Sequence, residues 1–310
     1  MERLFYPLIF AHALRRVEEL KARKVNLSHY TSAEVAISIL QKKEIWLRNA
    51  AVMNDFHEVE HGLKCLMAMF NDPYVGPRFE SIVNSVSPGL YEMLYDRYNN
   101  PVDLYDTYLA CLSEHGEDGG APSEDELGRL SMWRAYGGNT NVALILDSRR
   151  VLDAPNGLVY LSPVLYADVN GFRKEFEAVC GAMDANIKLF KQDERAFFVC
   201  LVSALDAAVL STKHPGFAEE REWRLIYRPN AGGNVPCRVF SVGGVPQKVY
   251  LLKLDGHNNV PDLDSVLDHV LIGPTQFPTI IEGAINQVLS DNKYRIVDRR
   301  VRVSNIPLRR

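Results

Sequence analysis

The strand-like apolar runs of this chain are not each followed by a helix, and that spacing constrains the fold more than any motif. Residues 25–30, 44–48, 106–113, 141–146, 159–166, 220–227, 238–241, 247–254, 266–272 and 295–303 read as strands, several separated only by turns such as Gly232-Gly233 and Gly243-Gly244. A regular parallel winding needs a crossover helix after each strand, and antiparallel neighbours do not. The expectation is an α+β fold: a mixed, mainly antiparallel sheet core with surrounding helices. Helices are expected at 5–24, 33–42, 55–70, 91–99, 127–136 and 279–289. A longer helical stretch at 171–210 carries Phe172, Phe176, Val179, Ile187, Phe197 and Val199 as its periodic apolar positions. Residues 71–88 are rich in turn formers and read as irregular. No linker rich in Gly, Pro or Ser divides the chain, so the expected organisation is an N-terminal helical extension at 1–24 and a single α+β domain at 25–310 with a helical insertion at about 171–210.

Composition removes several classes of function. With 47% hydrophobic residues in 310, the chain can bury a large core. Its 39 acidic against 35 basic residues give a formal net charge of -4, so no overall field draws it to phosphate backbones or anionic lipid. The five cysteines, Cys65, Cys111, Cys180, Cys200 and Cys237, are odd in number and widely spaced, which fits reduced core thiols rather than a disulfide framework. Residues 1–14 carry Glu2 and Arg3 and read as helix rather than a secretory leader. No apolar stretch reaches the ~20 residues of a bilayer span. A cytoplasmic protein without membrane contact is expected.

The chemical accent lies in four polar clusters at the edges of apolar segments: Ser28-His29-Tyr30-Thr31, Asn54-Asp55-Phe56-His57-Glu58, Ser131-Met132-Trp133-Arg134-Ala135-Tyr136 and Glu220-Arg221-Glu222-Trp223-Arg224. Each also has a structural explanation. Thr31-Ser-Ala-Glu34 and Asp55-x-x-Glu58 have the form of capping boxes. Trp133 and Trp223 suit a core. On a strand Glu220, Glu222 and Arg224 share one side, where an internal ion-pair network with Lys213 or Arg221 is the alternative to catalysis. Phosphate-loop, dinucleotide, nucleophile-elbow and zinc-protease fingerprints are absent. His57, His61, His115, His214, His257 and His269 show no ligand spacing, so no metal is expected.

The signatures His29-Tyr30-Thr31, Trp46-Leu47 followed by Asn54-Asp55-x-x-Glu58, Ser131-Met132-Trp133-x-x-Tyr136, Lys213-x-x-x-Phe217-x-x-Glu220-x-Glu222-x-Arg224 and Ile272-Gly273-Pro274 resemble those of a widespread bacterial family catalogued as a domain of unknown function, DUF2971. The resemblance runs over nearly the whole chain after about residue 25 and implies no established reaction. A second resemblance, carried by a His on an early strand, a Tyr mid-chain and a Glu on a late strand, is to the His-Tyr-Glu ADP-ribosyltransferases. It implies an ADP-ribosyltransferase-like fold and NAD as substrate. Glu222 would stabilise the oxocarbenium-like centre and Glu220 would orient the acceptor nucleophile. His29 would bind the adenosine ribose, with Thr31 supporting its loop, Tyr136 or, in competition with it, Tyr30 would stack on nicotinamide, and Arg134 or Arg224 would pair with pyrophosphate. Asn54, Asp55, Glu58, Trp133 and Lys213 complete the candidate set. The expected partner is a macromolecular acceptor, protein or nucleic acid, in the setting of a toxin or antiphage defence effector. Two alternatives stand beside it: a non-catalytic binding or regulatory module of a defence or mobile-element system, and a metal-dependent nuclease using Asp55, Glu58, Glu220 and Glu222.

Overall fold

The computed structural model describes residues 2–23, 25–52, 56–116, 123–153, 159–231, 233–257 and 260–307. Its strands are β1 (Asn26–Ser32), β2 (Glu44–Asn49), β3 (Tyr108–His115), β4 (Thr140–Leu146), β5 (Tyr160–Pro163), β6 (Leu165–Tyr166), β7 (Thr212–Lys213), β8 (Glu222–Tyr227), β9 (Cys237–Val242), β10 (Val245–Lys253), β11 (Leu267–Thr275) and β12 (Val301–Val303). The chain sorts into two compact units, a helical one from residues 1–18, 49–107 and 162–219 and a sheet unit from 19–48, 108–161 and 220–310. The helical stretch expected at 171–210 groups with 1–18 and 49–107 in the first, and the span 25–310 expected as one domain is shared between the two. Among the described residues no helix is long and apolar enough to cross a membrane.

The sheet unit holds a mixed, mainly antiparallel sheet in the order β12-β11-β4-β1-β3-β2-β10-β9, with β8 on β3 and β5 on β8. β1 runs antiparallel to both β3 and β4, β4 to β11, and β3 to β8, while β12 lies parallel to β11. β4 sits deep in this order because its run from Asn141 to Leu146 has little to offer water on either face, and all six residues are buried. β9 ends the sheet with Arg238, Val239 and Ser241 exposed. The helix Ala33–Lys42 begins one residue later than the Thr31 box implies: Ser32 is the cap and accepts from the Val35 amide at 3.3 Å. The strand expected over 295–303 shrinks to Val301–Val303, because Arg295 is held by the Asp264 side chain and carbonyl instead of a ladder.

In the helical unit, residues 71–88 depart from the irregular reading. Val75–Val86 is a helix whose Val75, Phe79, Ile82, Val83 and Val86 are buried, and its Pro77 lies in the first turn, where a missing N–H costs nothing. The expected 171–210 stretch resolves into Val169–Ala185, Ile187–Phe190 and Glu194–Leu210. The expected 5–24 helix breaks at Phe10 into Glu2–Ile9 and Ala11–Arg23.

Candidate metal centre

Strand register decides which side chains of the sheet unit can meet. Ser28 pairs with Ser113 and Ser113 with Glu222, so these three project from one face, and with them Tyr30, Cys111, His115 and Arg224 at even offsets. Ile145 and Ala143 of β4 pair with Ser28 and Tyr30, and His269 and Leu271 of β11 pair with Ile145 and Ala143, which extends the same face. His29 and Thr31, with Leu112, Glu114 and Trp223, take the opposite face.

This parity separates the expected transferase residues. Glu222 and His29 lie on opposite faces, so the pocket expected to join His29, Tyr136 and Glu222 is not assembled on one side of the sheet. Glu222 instead meets Arg224 in a fork, Nε to Oε1 at 2.8 Å and Nη2 to Oε2 at 3.3 Å, with the pair almost wholly buried. Glu220 is not on the strand: Pro215–Glu220 is a 3-10 turn, and the Glu220 carbonyl accepts the Ser113 hydroxyl. His29 donates Nδ1–H to the Cys111 carbonyl at 3.0 Å, and burial lowers its pKa. Tyr30 accepts from the Arg129 amide at 3.0 Å, packs edge-on against Trp133 at 4.6 Å, and has its hydroxyl pushed up to about 12 by burial. Thr31 is buried, and Trp133, in a core cluster with Tyr30, donates to the Leu127 carbonyl. Arg134 and Tyr136 are exposed. Lys213 belongs to the helical unit, buried with its ammonium 4.9 Å from the Phe217 ring centroid. Asn54, Asp55 and the Glu58 side chain lie outside the described residues.

What the fold does bring together is a group absent from the sequence expectation. His115 at the end of β3, Asp125 in the short helix Glu124–Leu127 and His269 in β11 each present one ligand atom, all within 4.8 Å of one another. His115 and His269 are each 1% exposed. Both ring nitrogens of His115 and Nε2 of His269 make no hydrogen bond. His269 Nδ1 stands 2.7 Å from Asp268 Oδ2, and since a carboxylate only accepts, that nitrogen carries the proton and Nε2 keeps its lone pair. Burial, ahead of any charge, lowers the His269 pKa and favours this neutral ring. The Asp268 contact has a backbone cause: the β4–β11 register shifts between Leu267 and His269, and such a bulge re-aims side chains.

Asp125 is held from several sides. Ser123 caps its helix by accepting from the Asp125 amide at 3.2 Å. Glu124 next to it bonds Arg129 at 3.0 Å and Arg221 at 3.2 Å. Ser304 donates to the Leu127 carbonyl at 2.8 Å. Oδ2 of Asp125 accepts from Arg302 Nη1 at 2.9 Å, and Oδ1 stands 3.6 Å from His115 Nε2, beyond hydrogen-bond range. The approach to His115 and the Arg302 guanidinium keep the Asp125 carboxyl well below the usual carboxylate range against the opposing effect of burial. Two imidazoles and one ionised carboxylate, with a second carboxylate behind one ring, are a donor set for a borderline divalent metal such as zinc. Sequence reading missed it because the ligands come from three elements at irregular spacing; the adjacent Asp268-His269 is the one local signal.

The comparisons with known proteins fit the first resemblance over residues 132–225 and add nothing for the ADP-ribosyltransferases. No curated protein and no solved structure matches the chain. The matched segment takes in Trp133, Arg134, Tyr136, Lys213, Glu220, Glu222 and Arg224 but none of the three metal-ligand candidates: residues 132–225 match the family model described as a protein of unknown function, DUF2971.

Proposed function

We propose that this protein is a metal-dependent hydrolase whose divalent transition metal is bound by His115, Asp125 and His269. The observation that carries the reading is the pair of buried imidazoles whose converging nitrogens have no hydrogen-bond partner. A buried polar atom left unpaired costs about 1–3 kcal/mol, and a cation bound by those lone pairs would remove that cost. Movements of well under a side-chain length would bring the ligand atoms to the roughly 2.0–2.2 Å of zinc coordination. Three protein ligands leave further positions open, and a metal so held supplies a water activated near neutral pH as nucleophile. In this chain Asp268 would fix the His269 tautomer, and Arg302 would keep Asp125 ionised. Asp125 is the most exposed of the three, so substrate would approach from its side. There Arg302, part exposed, places a guanidinium suited to an anionic group such as a phosphoester. This reading shares metal chemistry with the nuclease expectation but moves it away from Glu220 and Glu222.

The test is zinc titration of the chelator-treated full chain by calorimetry, with bis-p-nitrophenyl phosphate as hydrolysis probe. One zinc per chain is expected, lost in His269→Ala and bound about 10–100-fold more weakly in Asp268→Asn, with hydrolysis following metal occupancy. Absence of stoichiometric zinc in the wild type would overturn the site, and zinc binding without turnover would overturn the hydrolase reading while leaving a structural metal.

A further inference from the structure

Within the helical unit the packing leaves a cavity of about 110 Å³. Its wall is almost wholly apolar, with Phe172, Phe176, Leu201 and Ala204 among the lining residues. Ser211, which ends the helix Glu194–Leu210, also lines it. Ser211 is 3% exposed, and its hydroxyl has no hydrogen-bond partner. The neighbouring Thr212 shows the usual local solution, donating its hydroxyl back to the Ala208 carbonyl at 2.7 Å. Ser211 does not make that bond, although desolvating a hydroxyl without a partner is unfavourable. Glu175, the carboxylate among the lining residues, is already paired with Arg15 at 2.7 Å, so no spare charge awaits a charged ligand.

We propose that this cavity is a binding site for a small uncharged molecule with a benzene-sized apolar body and a single hydroxyl or carbonyl that pairs with Ser211. The size follows from the volume: an apolar protein cavity of about 150 Å³ takes up benzene. The polarity follows from the unpartnered Ser211 hydroxyl, in a mainly apolar wall where Thr212 and Glu175 are already bonded within the protein and His12 and Ser162 are the other polar lining residues; a small-molecule site fixes ligand orientation through such a group. The site lies in a different unit from the metal ligands and stands whether or not they bind metal.

Phenol and toluene have nearly the same shape and differ in the group that can pair with Ser211. Titrated into the full chain by ligand-observed NMR, phenol should bind about 3–10-fold more tightly than toluene, the worth of one net hydrogen bond. Ser211→Ala should lower phenol to the affinity of toluene. Ala204→Phe, or Ala208→Leu if the first variant fails to fold, should abolish binding of both by filling the space. Equal affinity of phenol and toluene for the wild type would overturn the role of Ser211. Undetectable binding, or binding indifferent to both filling substitutions, would overturn the site.

Discussion

Glu222→Leu should unfold the sheet unit more readily rather than remove a catalytic carboxylate. Glu222 is 5% exposed and its partner Arg224 fully buried, so the substitution takes from a guanidinium in a dry setting the carboxylate that it forks. Removing one member of a buried pair costs about 3–5 kcal/mol. At roughly 2–4 °C per kcal/mol for a unit of 150–250 residues, the midpoint should fall by about 6–20 °C. Glu222→Gln keeps the shape and an acceptor oxygen, so its cost should be about half, in line with the weaker bond made by a neutral acceptor. Glu222→Leu combined with Arg224→Met removes both charges and should recover most of the loss. The assay is thermal and urea unfolding followed by tryptophan fluorescence. Trp46, Trp133 and Trp223 all lie in the sheet unit, so the signal reports that unit alone. A Glu222→Gln midpoint within about 0.5 kcal/mol of wild type, the range of an ordinary surface change, or a double variant no more stable than Glu222→Leu, would refute the reasoning. Lost activity in a Glu222 variant has meaning only after its folded fraction is known.

Two further outcomes test the packing and the titration of the same unit. Gly273→Ala would place a Cβ 2.7 Å from the Trp133 ring and 2.8 Å from the Asn141 Cβ, and it should cost about 1–3 kcal/mol in the fluorescence-monitored urea midpoint. His29 has its pKa lowered by burial, so the unfolded chain binds its proton more readily than the folded one. Its contribution is full above the unfolded value of about 6.5 and is lost as pH falls below it. The urea midpoint should therefore drop between pH 7.5 and 5.5, and drop less in His29→Gln; an equal drop in both would show that His29 does not contribute.

Local chemistry made part of this structure legible in advance. The helix at 33–42 follows from its periodic apolar positions, and the buried β4 follows from an unbroken apolar run. The late strands separated only by turns gave the expectation of a mixed, mainly antiparallel sheet. Val75–Val86 was hidden because Gly76 and Pro77 signal turns, although both residues fall in the first helical turn, where Pro is tolerated. The break between 2–9 and 11–23 was hidden because an apolar period continues across Phe10, which itself still bonds to Tyr6 and Leu14 in helical fashion.

The candidate sites divide along the same line. Side-chain parity within one strand depends only on the two-residue pleat, so the sequence by itself determined that Glu222 and Arg224 share a side and can neutralise one another. Parity between strands depends on register, and a slip of one residue reverses it. Only the β1–β3–β8 pairing decided that His29 faces away from Glu222, and only the β1–β4–β11 pairing, with its bulge at Asp268, decided that His269 turns toward His115 and Asp125. The ligands of that centre come from three elements whose meeting is fixed by long-range hydrogen bonding, which leaves no periodic trace in the residues themselves.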